Sequence, residues 1–243
     1  MTNTDSIDNV EGAARKVALA NLPKRILISI LFTAVLLATL TAVAGDLRWR
    51  EAWIFSGSYG SFLVFYVVWG TIRMPELLQE RARPKKNMKR WDLVLMRGIY
   101  TPLMVSTFVL AGLDHRFGWS HVPIAVKVTA GVVVLGAMVW ILRVLATNQY
   151  ASGVVRIQND RGQTVVSTGP YRVVRHPMYL GNVTISLGIP VALGSWPALL
   201  VGLLVAAVFV IRITFEDRTL HAELAGYPQY AQRVKSRLIP GIW

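Results

Sequence analysis

The chain has 243 residues, of which 53% are hydrophobic and 16% are charged, and its formal net charge is +13. A soluble domain has roughly 25% charged residues, so this composition excludes an ordinary soluble core and indicates an integral membrane protein. The chain contains no cysteine, which excludes a disulfide framework, a cysteine-based metal site and a cysteine nucleophile.

Residues 1–25 form an N-terminal segment that we expect on the cytoplasmic side of the membrane. Met1–Asn9 is polar, a composition typical of disorder, and Val10–Leu22 predicts a short interfacial helix that ends at Pro23. Ala42–Ala44 resembles a signal-peptidase site, but the apolar run before it is longer than the roughly 7–15 residues of a signal sequence. We therefore expect an uncleaved first span.

Four apolar segments within residues 26–147 have about the 20 residues that cross a bilayer. They are Ile26–Ala44, Ala52–Ile72, Leu93–Leu113 and Val122–Thr147. A further apolar region is broken at Gly194–Pro197 and is interpreted as two spans, Met178–Leu193 and Pro197–Phe215. Pro190 predicts that the first of these is tilted or partly re-entrant. The sequence thus predicts an all-α integral membrane protein with about six transmembrane helices, or five if that segment does not cross.

The distribution of basic residues orients the chain in the membrane. Both termini and every second loop hold most of the 26 lysines and arginines, and loops of this kind face the cytoplasm. We therefore expect both termini and residues 169–181 on the cytoplasmic side. The run Arg81–Arg90 predicts contact with anionic lipid headgroups. Because the basic residues lie beside spans rather than on one globular face, nucleic acid is not an expected partner.

Residues 148–243 are expected to form a C-terminal core that contains a cytoplasmic insert, the helical hairpin and a cytoplasmic tail. The insert is Asn148–Thr168. A turn is predicted at its centre, Gln158–Gln163, because Asn, Asp and Gly cluster there. The β-branched stretches on either side, Gly153–Ile157 and Thr164–Val166, predict a small β-hairpin that covers the site.

The most informative segment is Gly169–Gly181, with the sequence GPYRVVRHPMYLG. Each polar residue in it has a structural interpretation: the histidine can bond backbone near a proline, the arginine can extend to headgroups, and the tyrosines can join the interfacial aromatic belt. Pro170 and Pro177 stiffen the backbone, however, and favour convergence of these side chains. The candidate site residues are Tyr171, Arg175, His176 and Tyr179.

Arg212 and Glu216 are four residues apart at the end of the last apolar run, so they share a helix face. They could form a structural ion pair, but charged residues at membrane depth usually face the protein interior and serve function. Arg97 is a further candidate for the same cavity. His115 and His121 are expected on the opposite side of the membrane, so the sequence predicts no metal site.

The C-terminal motifs, taken together, resemble the isoprenylcysteine carboxyl methyltransferase family, which belongs to a wider group that includes phospholipid N-methyltransferases. These motifs are Gly169-Pro-Tyr171, Arg175-His-Pro-Met-Tyr179, Arg212-x3-Glu216-Asp217-x2-Leu220, Gly226-Tyr227-x2-Tyr230 and Arg237-Leu-Ile-Pro240. The resemblance covers roughly Asn148–Trp243. Ala225-Gly226 differs from the Phe-Gly of eukaryotic members, so the chain looks more like bacterial members, and the expected location is the bacterial inner (plasma) membrane.

The resemblance implies an enzyme that binds S-adenosylmethionine in a cytosolic pocket and takes a lipid-like acceptor from the bilayer. The implied cofactor-binding residues are Tyr171, Arg175, His176, Tyr179, Gly181 and Glu216, and the implied catalytic residues are Arg212 and Glu216. Arg175 would hold the cofactor carboxylate bidentately, and Glu216 would hold its ammonium or ribose hydroxyls. The tyrosines would pack on adenine or face the sulfonium.

These residues leave more than one function open. A carboxylate acceptor with a pKa of about 4 is already ionised, so the absence of a second evident base favours a carboxylate that Arg212 aligns. An amine acceptor, as in phospholipid N-methylation, would need Glu216 or His176 to take a proton. Two further functions stay open: that of a relative of the NADPH-dependent sterol-type reductases, and that of a non-enzymatic membrane protein.

Overall fold

The structure is a computed structural model that describes residues 12, 15–83 and 88–243. The predicted disordered segment Met1–Asn9 and the centre of the basic run Arg81–Arg90 lie outside the described residues. Residues 15–20 are helical, as predicted for an N-terminal helix, but the helix does not end at Pro23. Asn21 precedes the next helix, and Pro23 lies in the first turn of that helix, where a missing N–H group is tolerated.

The described part of the chain has the all-helical fold that the sequence predicted, and it contains no strands. The helices are α1 (Leu22–Ala44), α2 (Arg50–Arg73), α3 (Pro75–Ala82), α4 (Arg90–Phe117), α5 (Ile124–Thr147), α6 (Pro177–Ala192), α7 (Trp196–Glu223) and α8 (Tyr227–Arg233). Within α4, the stretch Val94–Tyr100 is π-helical. Helix α6 packs between α5 and α7, and α4 packs against both α1 and α7.

Five of these helices, α1, α2, α4, α5 and α7, are long and apolar enough to cross a membrane. Helix α6 has 16 residues and is about 24 Å long, which is shorter than the hydrocarbon core of about 30 Å. Its far end still meets the loop between α4 and α5, because the Trp196 N–H donates to Ser120 Oγ at 3.0 Å just after the hairpin turn. The prediction of five to six membrane helices is confirmed as five long helices and one short helix.

The predicted break at Gly194–Pro197 is the turn between α6 and α7. Gly194 has a φ of 85°, a left-handed conformation that glycine adopts without a steric penalty. Ser195 Oγ then accepts a hydrogen bond from the Ala198 N–H at 3.1 Å and so caps α7. This turn makes α6 and α7 antiparallel, which returns the end of α7 to the face where α6 begins.

The insert, residues 148–168, is a loop rather than the predicted β-hairpin. Its turn is present, since Asn159–Arg161 form one turn of 3₁₀-helix. The hairpin prediction is wrong because the backbone of the insert bonds to other parts of the chain. The Val155 N–H donates to Asp92 Oδ2 at 2.8 Å, and the Val155 C=O accepts from the Lys89 N–H at 3.2 Å. The insert is thereby fixed to the start of α4.

Candidate functional site

A pocket lies at one end of the helix bundle, between the insert, the Gly169–Gly181 segment, the end of α7 and α8. Five of the predicted site residues line it: Tyr171, Arg175, His176, Tyr179 and Glu216. Residues of the insert line another part of the same pocket. The convergence expected from the two prolines is therefore present. Gly181, Arg212 and Arg97 do not line this pocket, and Arg97 is exposed, contrary to the expectation that it would face the cavity.

The C-terminal tail holds the Gly169–Gly181 segment in place. The backbone N–H groups of Arg175 and His176 donate to Ser236 O and Arg237 O at 3.0 and 2.9 Å. Pro177 then begins α6 in the first turn, where proline is favoured. These bonds direct the two polar side chains toward the end of α7 rather than toward the headgroups.

Asp217 is the centre of the polar network beside the pocket, and it is only 2% exposed. Its Oδ1 accepts from Arg175 Nε at 2.9 Å and from the Tyr227 hydroxyl at 2.8 Å. Its Oδ2 accepts from Arg175 Nη2 at 3.1 Å and from Arg237 Nε at 3.0 Å. His176 Nε2 lies 3.2 Å from Oδ1. One carboxylate thus joins α7, the Gly169–Gly181 segment, α8 and the C-terminal tail.

Arg175 is fully engaged in this network. Its planar fork is bidentate on Asp217, and its Nη1 donates to Val234 O and Lys235 O at 2.8 and 2.7 Å. Burial opposes the charge, but the hydrogen bonds and the negative charge of Asp217, with a smaller effect of Tyr227, together raise the pKa of Arg175 above its ordinary value. The fork expected to hold a cofactor carboxylate therefore holds an internal carboxylate, and Arg175 shapes the pocket wall.

Glu216 differs from its neighbour Asp217 because it faces the pocket. Its Oε2 accepts a hydrogen bond from the Tyr179 hydroxyl, and in the described part of the chain it forms no ion pair. Tyr179 is buried, with its ring 6.0 Å from that of His176. The pocket therefore contains a carboxylate that is oriented by a phenol and, among the described residues, has no cation as a partner.

Arg212 does not pair with Glu216, so the structural ion pair considered for these two residues is absent from the described structure. Arg212 Nε and Nη2 instead donate to Asp92 Oδ1 and Oδ2 at 2.7 and 3.1 Å, and Nη2 also donates to Gly153 O at 3.1 Å. Its guanidinium lies 5.6 Å from the centre of the Tyr179 ring. Arg212 thus lies over the Tyr179 ring and ties the insert to α7.

Tyr171 and Tyr230 join the outer part of the pocket. The Tyr171 hydroxyl accepts from Asn148 Nδ2 at 2.9 Å, and the Tyr171 C=O accepts from the Tyr230 hydroxyl at 2.7 Å. Burial raises the pKa of Tyr171 above its usual range and the pKa of Tyr230 to about 12. Both phenols are therefore neutral near pH 7.

Arg156 is a pocket residue that the sequence motifs did not indicate. It lies in the insert, its Nη2 donates to Glu80 Oε1 at 2.8 Å, and its Nη1 donates to Asp160 Oδ1 at 3.0 Å. Burial opposes its charge, but the hydrogen bonds and the negative charges of Asp160 and Glu80 together raise the pKa of Arg156. Its Nε is buried and has no hydrogen-bond partner in the described structure. The Arg156 side chain therefore lines the part of the pocket formed by the insert, and its buried Nε is free of a hydrogen bond among the described residues.

Asp92 and Asp217 are two further residues beside the site to which the sequence analysis assigned no role. Asp217 was noted there only within a motif, next to Glu216, and Asp92 was not noted. Both are buried and each is bidentate with an arginine. Each aspartate is far in sequence from its arginine partner, so no local spacing indicated either pair.

Gly181 lies against α5 rather than in the pocket. A Cβ atom at this position would lie 2.5 Å from Ile141 Cγ1 and 3.2 Å from Ala137 O. The glycine therefore permits the close approach of α5 and α6, and this approach positions the start of α6 beside the pocket.

We expect Gly181→Ala to destabilise the protein by about 1–3 kcal/mol, because the added methyl group overpacks the α5–α6 contact. Thermal unfolding in detergent measures the effect. Gly131→Ala on α5 is the matched control, since nothing lies within 4 Å of a Cβ atom there. An unchanged Tm for Gly181→Ala would contradict the packing role.

Residues 124–224 match the family model described as phospholipid methyltransferase. The fold is similar to that of the solved eukaryotic intramembrane Ras methyltransferase, isoprenylcysteine carboxyl methyltransferase, with a TM-score of 0.50 and 16% sequence identity. That similarity covers 100% of this chain and 88% of the other chain. No curated protein gives a sequence match. The resemblance indicated by the C-terminal motifs is thus confirmed, and these findings support a membrane methyltransferase.

Proposed function

We propose that the chain is an S-adenosylmethionine-dependent methyltransferase whose acceptor is a lipid-like carboxylate in the membrane. Glu216 is the observation that carries the proposal: its carboxylate lines the pocket, is oriented by Tyr179, and has no cation as a partner among the described residues. A ligand that brings an ammonium group fits this position, since the pair would be charge-assisted. The match of residues 124–224 to a methyltransferase family supports the same reaction class.

The remaining pocket residues fit the other groups of the cofactor. Tyr171 and Tyr179 offer aromatic faces for adenine or for a sulfonium. Because Asp217 already occupies Arg175, the unused Nε of Arg156 is the better donor for the cofactor carboxylate. We therefore assign Arg175 and His176 to the wall of the site, Glu216 to the ammonium or the ribose hydroxyls, and Arg156 to the carboxylate.

The reaction itself is a displacement that depends mainly on alignment. When bound, S-adenosylmethionine would supply an electrophilic methyl group: the acceptor oxygen would bond to that carbon as the carbon–sulfur bond breaks, which would leave a neutral thioether. A carboxylate acceptor loses no proton, so no base is needed. Arg212 is the proposed aligning residue, because its Nη1 makes no hydrogen bond within the described residues while Asp92 and Gly153 fix the rest of the fork.

An amine acceptor is the second candidate, and the description of the matched family as phospholipid methyltransferase favours it. In that case a proton must leave before attack, and Glu216 is the pocket carboxylate that forms no ion pair with a described cation. The two acceptors are distinguished by the product: a methyl ester is cleaved by mild base, whereas an N-methyl group is not.

Calorimetry on purified protein in detergent tests the proposed cofactor. We expect S-adenosylhomocysteine to bind with micromolar affinity, or about 8 kcal/mol, and NADPH not to bind. Transfer of a tritiated methyl group to the lipid extract of the source cells should follow. Binding of NADPH without S-adenosylhomocysteine would assign the chain to the reductases, and binding of neither would favour a non-enzymatic role.

The assignment of Arg156 predicts that Arg156→Lys weakens S-adenosylhomocysteine binding by about tenfold or more, since loss of a hydrogen bond to a charged group costs about 1.5–3 kcal/mol. A lysine retains the charge but has no Nε donor at that position. Arg161→Lys is the control, because Arg161 lies in the same insert and does not line the pocket. Equal affinities for the two variants would remove Arg156 from the cofactor site.

The proposed orientation places the insert in the cytoplasm and the α4–α5 loop outside. Since the chain lacks cysteine, single cysteines report the orientation directly. Ser167→Cys and His121→Cys replace exposed residues at opposite ends of the bundle. We expect an impermeant maleimide to label only the cysteine at position 121 in intact cells, and to label both after lysis. Labelling of position 167 from outside would reverse the topology.

A further inference from the structure

A second groove lies on another side of the bundle, between α1, α2, α3 and α5. Its apolar wall comes mainly from α2 and α5. The wall residues are Phe62, Leu63, Val67, Leu78, Ile141 and Leu142. Because α2 and α5 both end at the face that carries the pocket, the groove also reaches this face. It shares no lining residue with the site pocket in the described structure.

Two arginines complete this groove. Arg25, in the first turn of α1, and Arg81, at the end of α3, both line it, and no acidic residue among those described does so. Arg81 Nη1 donates to Ala151 O at 2.9 Å, and Arg25 Nη2 approaches Leu78 O at 3.5 Å. Neither arginine forms an ion pair with a described residue. The groove thus combines an apolar wall with two arginines that no acidic residue among those described pairs with.

Arg25 also has a donor without an acceptor. Its Nη1 is buried and makes no hydrogen bond within the described part of the chain. An unsatisfied buried donor costs about 1–3 kcal/mol, and more when it is charged. A guanidinium fork matches the geometry of a phosphate group, which supplies several acceptor oxygens and a negative charge. An anionic occupant would satisfy Nη1 and neutralise both arginines.

We propose that this groove binds one anionic phospholipid, with its phosphate on Arg25 and Arg81 and an acyl chain along α2 and α5. The apolar wall requires a hydrocarbon chain as well as an anion, so free phosphate satisfies only half of the site. We assign this lipid a role apart from the methyl acceptor, because the groove shares no lining residue with the site pocket in the described structure. The bound lipid holds α1 and α3 against the rest of the bundle.

Native mass spectrometry and thermal unfolding of the full chain in a neutral detergent test this proposal. The probes are dioleoylphosphatidylglycerol, dioleoylphosphatidylcholine and inorganic phosphate. We expect one tightly retained phosphatidylglycerol and a rise of several degrees in Tm. We expect neither effect from phosphatidylcholine or phosphate. Equal effects of phosphatidylcholine, or of phosphate alone, would overturn the proposal.

Two variants with a matched control locate the lipid. Arg25→Gln should weaken phosphatidylglycerol retention at least tenfold, and Leu63→Trp should do the same with both arginines intact, because the indole fills the groove. Arg83→Gln removes the same charge from an exposed position that does not line the groove and should retain the lipid. Wild-type retention in both groove variants would refute the site. Methyl transfer is not measured, so this result is independent of the proposed enzymatic function.

Discussion

Glu216→Gln is expected to weaken S-adenosylhomocysteine binding by about tenfold to a hundredfold. The amide retains the size of the carboxylate and an oxygen that accepts from the Tyr179 hydroxyl, so the pocket wall should keep its shape. The negative charge is lost, however, and with it a charge-assisted contact that contributes about 1.5–3 kcal/mol. Methyl transfer should fall at least as much, because the methyl donor is then poorly held.

Glu223→Gln is the matched control for this variant. Glu223 lies on the same helix, has the same charge, and pairs at the surface with Lys89 at 2.6 Å, where its side chain is 44% exposed. Calorimetry with S-adenosylhomocysteine and a tritiated-methyl assay should show wild-type behaviour for Glu223→Gln and losses in both measurements for Glu216→Gln. Wild-type affinity in Glu216→Gln would remove the carboxylate from the cofactor site.

The sequence predicted which segments form the pocket but not how its charges are paired. Two prolines and the spacing of the motif correctly place Tyr171, His176 and Tyr179 on one pocket. The partner of a buried arginine, by contrast, depends on the tilt of the helices and on the path of the loops. Asp92 and Arg212 are 120 residues apart in the chain, and no local spacing links them. Helical periodicity therefore indicated the shared face of Arg212 and Glu216 but not their separate partners.

The insert shows the same limit of local sequence patterns. The β-branched residues beside its turn are typical of strands, yet strand formation requires a free ladder of backbone groups. Here Asp92 and the backbone of Lys89 bind Val155 from outside the insert, and Arg81 binds the backbone of Ala151. Tertiary contacts made by distant side chains therefore replace the hairpin that local propensity favours.

Membrane crossing was the most predictable property of the chain, since it depends on the length of apolar runs. The five long helices follow directly from this rule. Helix α6 is the exception, because its 16 residues are too few by length alone. Its position depends on packing: Gly181 allows it to approach α5, and Ser120 holds the turn that follows it.

Arg212→Lys is expected to lower the rate of methyl transfer by about tenfold or more, with S-adenosylhomocysteine affinity changed by less than about threefold. Lysine keeps the charge near Asp92 but loses the planar fork that bonds Asp92 and Gly153 while leaving Nη1 for the acceptor. Misalignment of the acceptor lowers turnover, whereas the cofactor contacts of Glu216 remain. This separates Arg212→Lys from Glu216→Gln, which should lose both turnover and affinity.

If the Asp92–Arg212 pair only stabilises the fold, Arg212→Lys should change stability and not turnover. Comparison with Asp92→Asn distinguishes this structural role from alignment of the acceptor. Loss of the Asp92 charge leaves a buried guanidinium uncompensated, which typically costs about 3–5 kcal/mol of stability. The Tm of Asp92→Asn in detergent should therefore fall sharply. Arg212→Lys keeps an ion pair and should unfold at a temperature closer to that of the wild type. Arg218→Lys, at an exposed position on the same helix, controls for the exchange of side chain. If Arg212→Lys loses stability as Asp92→Asn does but methylates the native acceptor at the wild-type rate, Arg212 only fixes the insert to α7 and does not align the acceptor.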